Sequence, residues 1–182
     1  MKQGACVKLG DKYLAMVARS GSHSLFQRAL ERLVPDWAEL PKLAPSGARY
    51  HPIHLLGPYT LFIDPTDISP VLPLAVMVRD PLERFRSALA RTRNSVEEAL
   101  ALRYSDAHFQ SLSDMGLIAT DVTYFRFPDQ IEECAAWLGL ETPVPQENAE
   151  PDENKPTLTP AEELAVRTAY GDDIALWERL QA

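Results

Sequence analysis

The sequence predicts an α/β fold, a parallel sheet of about four to five strands flanked by helices on both faces. Three observations predict it. Leu74-Ala-Val-Met-Val78 is apolar throughout, as a strand covered on both faces must be. Leu14 to Ala18 is an apolar run with no helical period, and Val122 to Phe127 reads as a third buried strand. Between these runs the apolar residues fall at helical spacing, so strands alternate with helices. A chain of 182 residues suffices for one such domain, taken as 1–182, with no repeat and no linker.

Taken in order, Lys2 to Asp11 reads as a lead-in with an edge strand around Cys6–Leu9. The strand Leu14–Ala18 runs into a small polar turn, Arg19-Ser-Gly-Ser22. A helix follows from about His23, with Leu25, Phe26, Ala29, Leu30 and Leu33 on one side. It should end near Val34-Pro35, because proline disfavours helix in the residue before it. Pro35 to Pro58 is irregular and carries His51 and His54. Thr60–Ile63 is a short strand ending at Asp64-Pro65, and Asp67 to Pro73 is a connector.

After Leu74–Val78 come Arg79-Asp80-Pro81, and proline suits the first turn of a helix. Leu82, Phe85, Ala88 and Leu89 give that helix its apolar face. Ser95 and Glu98 form a capping box opening a helix to about Leu102. Asp106 to Met115 is expected to be helical. Pro128-Asp129 starts a helix bearing Ile131, Cys134, Ala135 and Leu138, closed by Gly139. Thr142 to Pro156 is a loop rich in proline and acids. Thr159-Pro-Ala-Glu162 is a second capping box, opening a helix to about Tyr170. Asp172 to Leu180 is the last helix.

Composition narrows the function. A net charge of −8 argues against a broad nucleic-acid surface and makes the cluster Arg79, Arg84, Arg86, Arg91 and Arg93 informative. No apolar run is long enough to span a bilayer. The first ten residues lack the apolar core of a signal peptide, so a cytoplasmic location is expected. Cys6 and Cys134 read as two free buried thiols. No cluster has metal-ligand spacing, and no metal is expected. Trp37, Trp137 and Trp177 read as packing residues, and Glu132 and Glu133 as a solvated helix face.

The chemistry gathers at strand ends. In a parallel sheet ligands sit off the carboxyl ends of the strands. Arg19 and Arg79 both directly follow buried strands. A strand, tight turn and helix aim backbone N–H groups and the positive end of a helix dipole at one point. Arginine adds a forked donor set suited to phosphate or sulfate oxygens, and Ser20, Ser22 and Ser24 add hydroxyls. Two arginines beside two helix N-termini suit a dianion or a ligand with two phosphates. Ser87 lies two helical turns beyond Arg79.

These residues resemble a known family. Ala18-Arg-Ser-Gly-Ser-His-Ser-Leu25 resembles the 5′-phosphosulfate loop of the PAPS-dependent sulfotransferases. Val78-Arg-Asp-Pro-Leu-Glu-Arg-Phe-Arg-Ser-Ala-Leu89 resembles their 3′-phosphate motif. Asp106-Ala-His-Phe-Gln110 is similar to a signature of glycan-type members. Val122 to Leu140 resembles their last core strand and helix, and Tyr170-Gly-Asp-Asp173 their C-terminal helix. The likeness is to a small bacterial-type member, nearer the glycan or Golgi type than the cytosolic phenol type.

The resemblance implies a P-loop-like fold and transfer of a sulfuryl group from PAPS to an acceptor hydroxyl, such as a sugar's, leaving PAP. Arg19, Ser20, Gly21, Ser22, His23 and Ser24 would hold the 5′-phosphosulfate, and Arg79 and Ser87 the 3′-phosphate. Lysine is usual where this chain has Arg19, which binds phosphate but cannot protonate a leaving group. The glycine-rich nucleotide clamp of cytosolic members is absent; Lys155 is a poor substitute. Tyr50-His-Pro-Ile-His54 resembles a histidine-bearing segment of uronyl-type members. That makes His54 the first candidate for the base and His51 the second, with Asp64 an outside one. His108 is expected to position rather than abstract. Partners are a small-molecule or glycan acceptor, with no nucleic acid and no membrane span. Two other readings stand beside this one: a P-loop-like nucleotide kinase using ATP and magnesium, and a catalytically silent module binding PAP or a sulfated ligand.

Overall fold

The computed structural model describes residues 4–39, 55–63, 68–145 and 151–182. Five strands form one open sheet: β1 (Gly4–Leu9), β2 (Lys12–Ala15), β3 (Thr60–Ile63), β4 (Leu74–Val78) and β5 (Val122–Arg126), in the order β3-β1-β2-β4-β5. The described helices are α1 (Ser22–Leu33), α2 (Pro81–Thr92), α3 (Val96–Leu102), α4 (Ile131–Trp137), α5 (Pro160–Ala169) and α6 (Gly171–Gln181). The fold is α/β. None of the described helices is long and apolar enough to cross a membrane.

The sheet is mixed, which corrects the all-parallel expectation. β2, β4 and β5 are mutually parallel, whereas β1 runs antiparallel to both β2 and β3. The cause is local. Leu9 pairs with Lys12, so only Gly10 and Asp11 separate the two strands, and a connection that short can join only antiparallel neighbours. Gly10 takes the left-handed conformation the turn requires, with φ of 70°. Cys6–Leu9 is therefore not an edge strand; β3 holds that edge.

The strands bury both faces. Leu14, Ala75, Met77 and Phe125 meet Leu25, Phe26, Ala29 and Leu30 of α1 and Cys134, Ala135 and Leu138 around α4. Fully burying Phe26 or Leu30 contributes roughly 1.5–3 kcal/mol each. On the other face Ala15, Leu74, Val76, Val78 and Val122 meet Leu112, Met115, Leu117 and Leu176. Phe85, Ala88 and Leu89 of α2 form a further cluster with Ala99, Phe109, Val166 and Tyr170. Trp37 and Trp137 pack on the first cluster and Trp177 on the second, as expected of packing residues.

Both capping boxes form, Ser95 with Glu98 and Thr159 with Glu162. The expected helix over Asp106 to Met115 does not; the segment is a chain of turns. Some of its backbone donors are claimed by side-chain carboxylates. Asp173 accepts from Leu112 N at 2.9 Å and Ser113 N at 3.2 Å, and Asp106 Oδ1 accepts from His108 N at 2.9 Å. Side-chain acceptors that compete for backbone N–H groups break a helix.

Candidate functional site

β2 and β4 are parallel and adjacent, so the residues after them reach the same edge of the sheet. There the chain turns sharply. Arg19 adopts φ of 64° and Gly21 φ of 72°, both left-handed. Glycine takes this conformation freely, but for arginine it costs roughly 1–2 kcal/mol. The strain at Arg19 turns its carbonyl toward Arg79, whose Nη1 donates to it at 3.1 Å. The Arg19 side chain reaches α2, where Nε and Nη2 donate to Ser87 Oγ at 3.0 and 2.8 Å.

Arg19, Arg79 and Ser87, singled out at three separate places in the sequence, therefore form one connected group. Ser87 is buried and sits on Arg19 rather than on Arg79. The Arg79 guanidinium lies 5.6 Å over the Phe127 ring and 3.9 Å from Glu83 Oε2. Glu83, one helical turn further on, is thus an acidic neighbour of Arg79 at long range.

The turn itself is closely packed. A Cβ at Gly21 would lie 2.4 Å from the Phe127 ring, so a side chain there would have to displace the ring. Ser20 is fully buried, yet its Oγ has no hydrogen-bond partner among the described residues. A buried hydroxyl without a partner costs free energy unless something completes it. Alone among the six described helices, α1 has no acidic residue in its first turn, and it lacks a side-chain cap. Its N-terminal donors and dipole thus meet no carboxylate from the helix itself. The N-terminus of α2 differs. Asp80 Oδ1 accepts from Leu82 N at 2.9 Å and Glu83 N at 3.0 Å, so that end is already capped. Both arginines stand near helix N-termini, and of the two ends that of α2 carries a side-chain cap.

The remaining candidates divide. Ser24 is buried, and His23 is half-buried in the first turn of α1. Ser22 is the first residue of α1. His51, His54 and Asp64, proposed as bases, lie outside the described residues. His108 pairs its Nδ1 with Asp106 Oδ1 at 2.8 Å, holding its own turn. Lys155 reaches Glu83 Oε2 at 3.2 Å. Glu132 is no idle surface residue, since its Oε1 accepts from Val144 N at 2.8 Å. Cys6 and Cys134 are free and buried, and burial pushes both thiols up to about 12. Among the described residues no three acids, histidines or cysteines gather as metal ligands.

Sequence reasoning missed a buried polar network behind the site. Arg84 is 3% exposed; its Nη2 donates to the Gln110 carbonyl at 2.8 Å and lies 3.5 Å from Asp173 Oδ2. Burial raises the Asp173 carboxyl against the pull of Arg84 and two backbone donors. The signal was present: Arg84 stands one helical turn before Ala88, on the buried side of α2. No family model matches the chain, and no curated protein and no solved structure matches it.

Proposed function

We propose that the chain is a sulfotransferase that binds PAPS at the β2–α1 turn and passes its sulfuryl group to an acceptor hydroxyl, such as that of a sugar. The observation that carries this reading is the joining of Arg19, Arg79 and Ser87 at the carboxyl edge of the parallel strands. The uncapped start of α1 and the unpartnered Ser20 hydroxyl fit an anion with several acceptor oxygens. The donor supplies a sulfuryl group already activated by its bond to phosphate.

The residues of this chain would bind and orient. Arg19 and the N–H groups of Ser20, Gly21, Ser22, His23 and Ser24 would hold the phosphosulfate end. Arg79 and Ser87 would hold a second phosphate. Such preorganised donors stabilise charge as it shifts toward the leaving oxygen. Arg19 keeps its proton throughout, so its contribution is electrostatic. The acceptor proton needs a base, and the resemblance assigns it to His54 first and His51 second.

Incubation of the protein with sulfur-labelled PAPS and a panel of sugar, phenol, lipid and peptide acceptors tests the activity. Labelled product with release of PAP, lost in His54→Ala, supports transfer. PAPS left intact across the panel by a protein that binds PAP makes the chain a silent binding module.

A further inference from the structure

Glu83, in the first turn of α2, is where three cations, Arg79, Arg86 and Lys155, converge. Its Oε2 receives Lys155 Nζ at 3.2 Å and lies 3.9 Å from Arg79 Nη2, while its Oε1 takes the Arg86 guanidinium. Arg86 also donates from Nε to the Pro156 carbonyl at 2.9 Å. One carboxylate thus ties the stretch before α5 to the helix that carries Ser87. The Lys155 side chain is only 6% exposed. An ammonium so deeply placed needs a carboxylate beside it.

We infer that Glu83 is an internal counter-anion to Arg79 that sets how tightly the edge holds an anionic ligand. This rests on the reading of Arg19 and Arg79 as an anion site. The three contacts of Glu83 are unequal, and the one to Arg79 is the longest. Arg86 and Lys155 hold the carboxylate in place, so an anion arriving at Arg79 takes over that contact without dislodging Glu83. Ligand and Glu83 then share Arg79 at a distance where like charges repel. Two costs result. Parting Arg79 from Glu83 costs the same for any anion, whereas the repulsion grows with the charge of the ligand.

That difference gives a signature that a purely structural role would not produce. Sulfate and nitrate serve as dianionic and monoanionic probes, with affinities read by calorimetry at fixed low ionic strength. Glu83→Gln should tighten sulfate about three- to tenfold, the size expected for removing one partly screened like charge, and nitrate by less. Glu83→Asp, which keeps the charge but withdraws it by one methylene, should fall between wild type and Glu83→Gln. Equal or weaker sulfate binding in both variants overturns the inference, as does an equal gain for the two anions. Arg79→Ala separates the two claims. If wild type and Arg79→Ala bind sulfate alike, the anion site itself fails. If Arg79→Ala loses sulfate while the Glu83 variants gain nothing, the site stands and Glu83 is only a strut.

Discussion

Gly21→Ala concentrates the link between packing and site in one methyl group. The residue sits at φ of 72°, and its Cβ would lie 2.4 Å from Cδ2 and Cε2 of Phe127 and 3.3 Å from Cδ1 of Ile131. Alanine in a left-handed conformation costs roughly 1–2 kcal/mol by itself. Overpacking adds about 1–3 kcal/mol, because the half-buried ring must shift to make room. Phe127 N is bonded to the Val78 carbonyl at 2.7 Å, and Arg79 lies over the ring. The sum is about 2–5 kcal/mol, or roughly 5–15 °C in melting temperature for a chain of this size. Thermal and urea melts measure it. Phe127→Leu in the Gly21→Ala background removes the clash but not the backbone strain, so the pair should cost clearly less than the two single variants added together. A Gly21→Ala variant that melts with wild type, or strict additivity of the pair, refutes the reasoning.

Asp173→Ala strips Arg84 of its buried partner and leaves the Leu112 and Ser113 N–H groups unbonded, so urea melts should show a loss of about 3–5 kcal/mol. Asp80→Ala removes the cap of α2, and the same urea melts should show a loss of about 1 kcal/mol. Folding moves Cys6 and Cys134 from 9.0 to about 12 and Tyr170 from 10.0 to about 12, chiefly through burial. The unfolded chain therefore gives up these protons first. The stability they contribute is intact below pH 9 and is lost as pH rises toward about 12, which melting curves across that range should record. Native thiols should correspondingly resist a thiol reagent at neutral pH until the protein is unfolded.

What the sequence disclosed follows from which interactions are local. Leu74–Val78, Val122–Arg126, the helix after Gly21 and both capping boxes depend on residues within a turn or two of one another, and all are present. The direction of β1 is legible too, in the two residues Gly10-Asp11 between Leu9 and Lys12, a link that the reading of Lys2 to Asp11 as a lead-in leaves unused. The Asp106 to Met115 segment was not legible, because the carboxylate that breaks the helix comes from Asp173, far along the chain. At the site, Arg19 and Arg79 were placed by the strand-end rule alone. That Ser87 meets Arg19, and that Asp80 closes the N-terminus of α2, depend on side-chain directions that spacing does not fix. On Glu83 the pairs with Arg79 and Arg86 have helical spacing, whereas Lys155 arrives from more than seventy positions away and left no local trace.

Melting the protein against rising concentrations of PAP, with ATP–magnesium in parallel and Arg79→Ala as control, tests the central claim most directly. A ligand that binds only the native state raises the melting temperature with its concentration. The account predicts a rise with PAP that needs no magnesium and disappears in a folded Arg79→Ala variant. No shift with PAP and a clear one with ATP–magnesium would contradict it and favour the nucleotide-kinase reading instead.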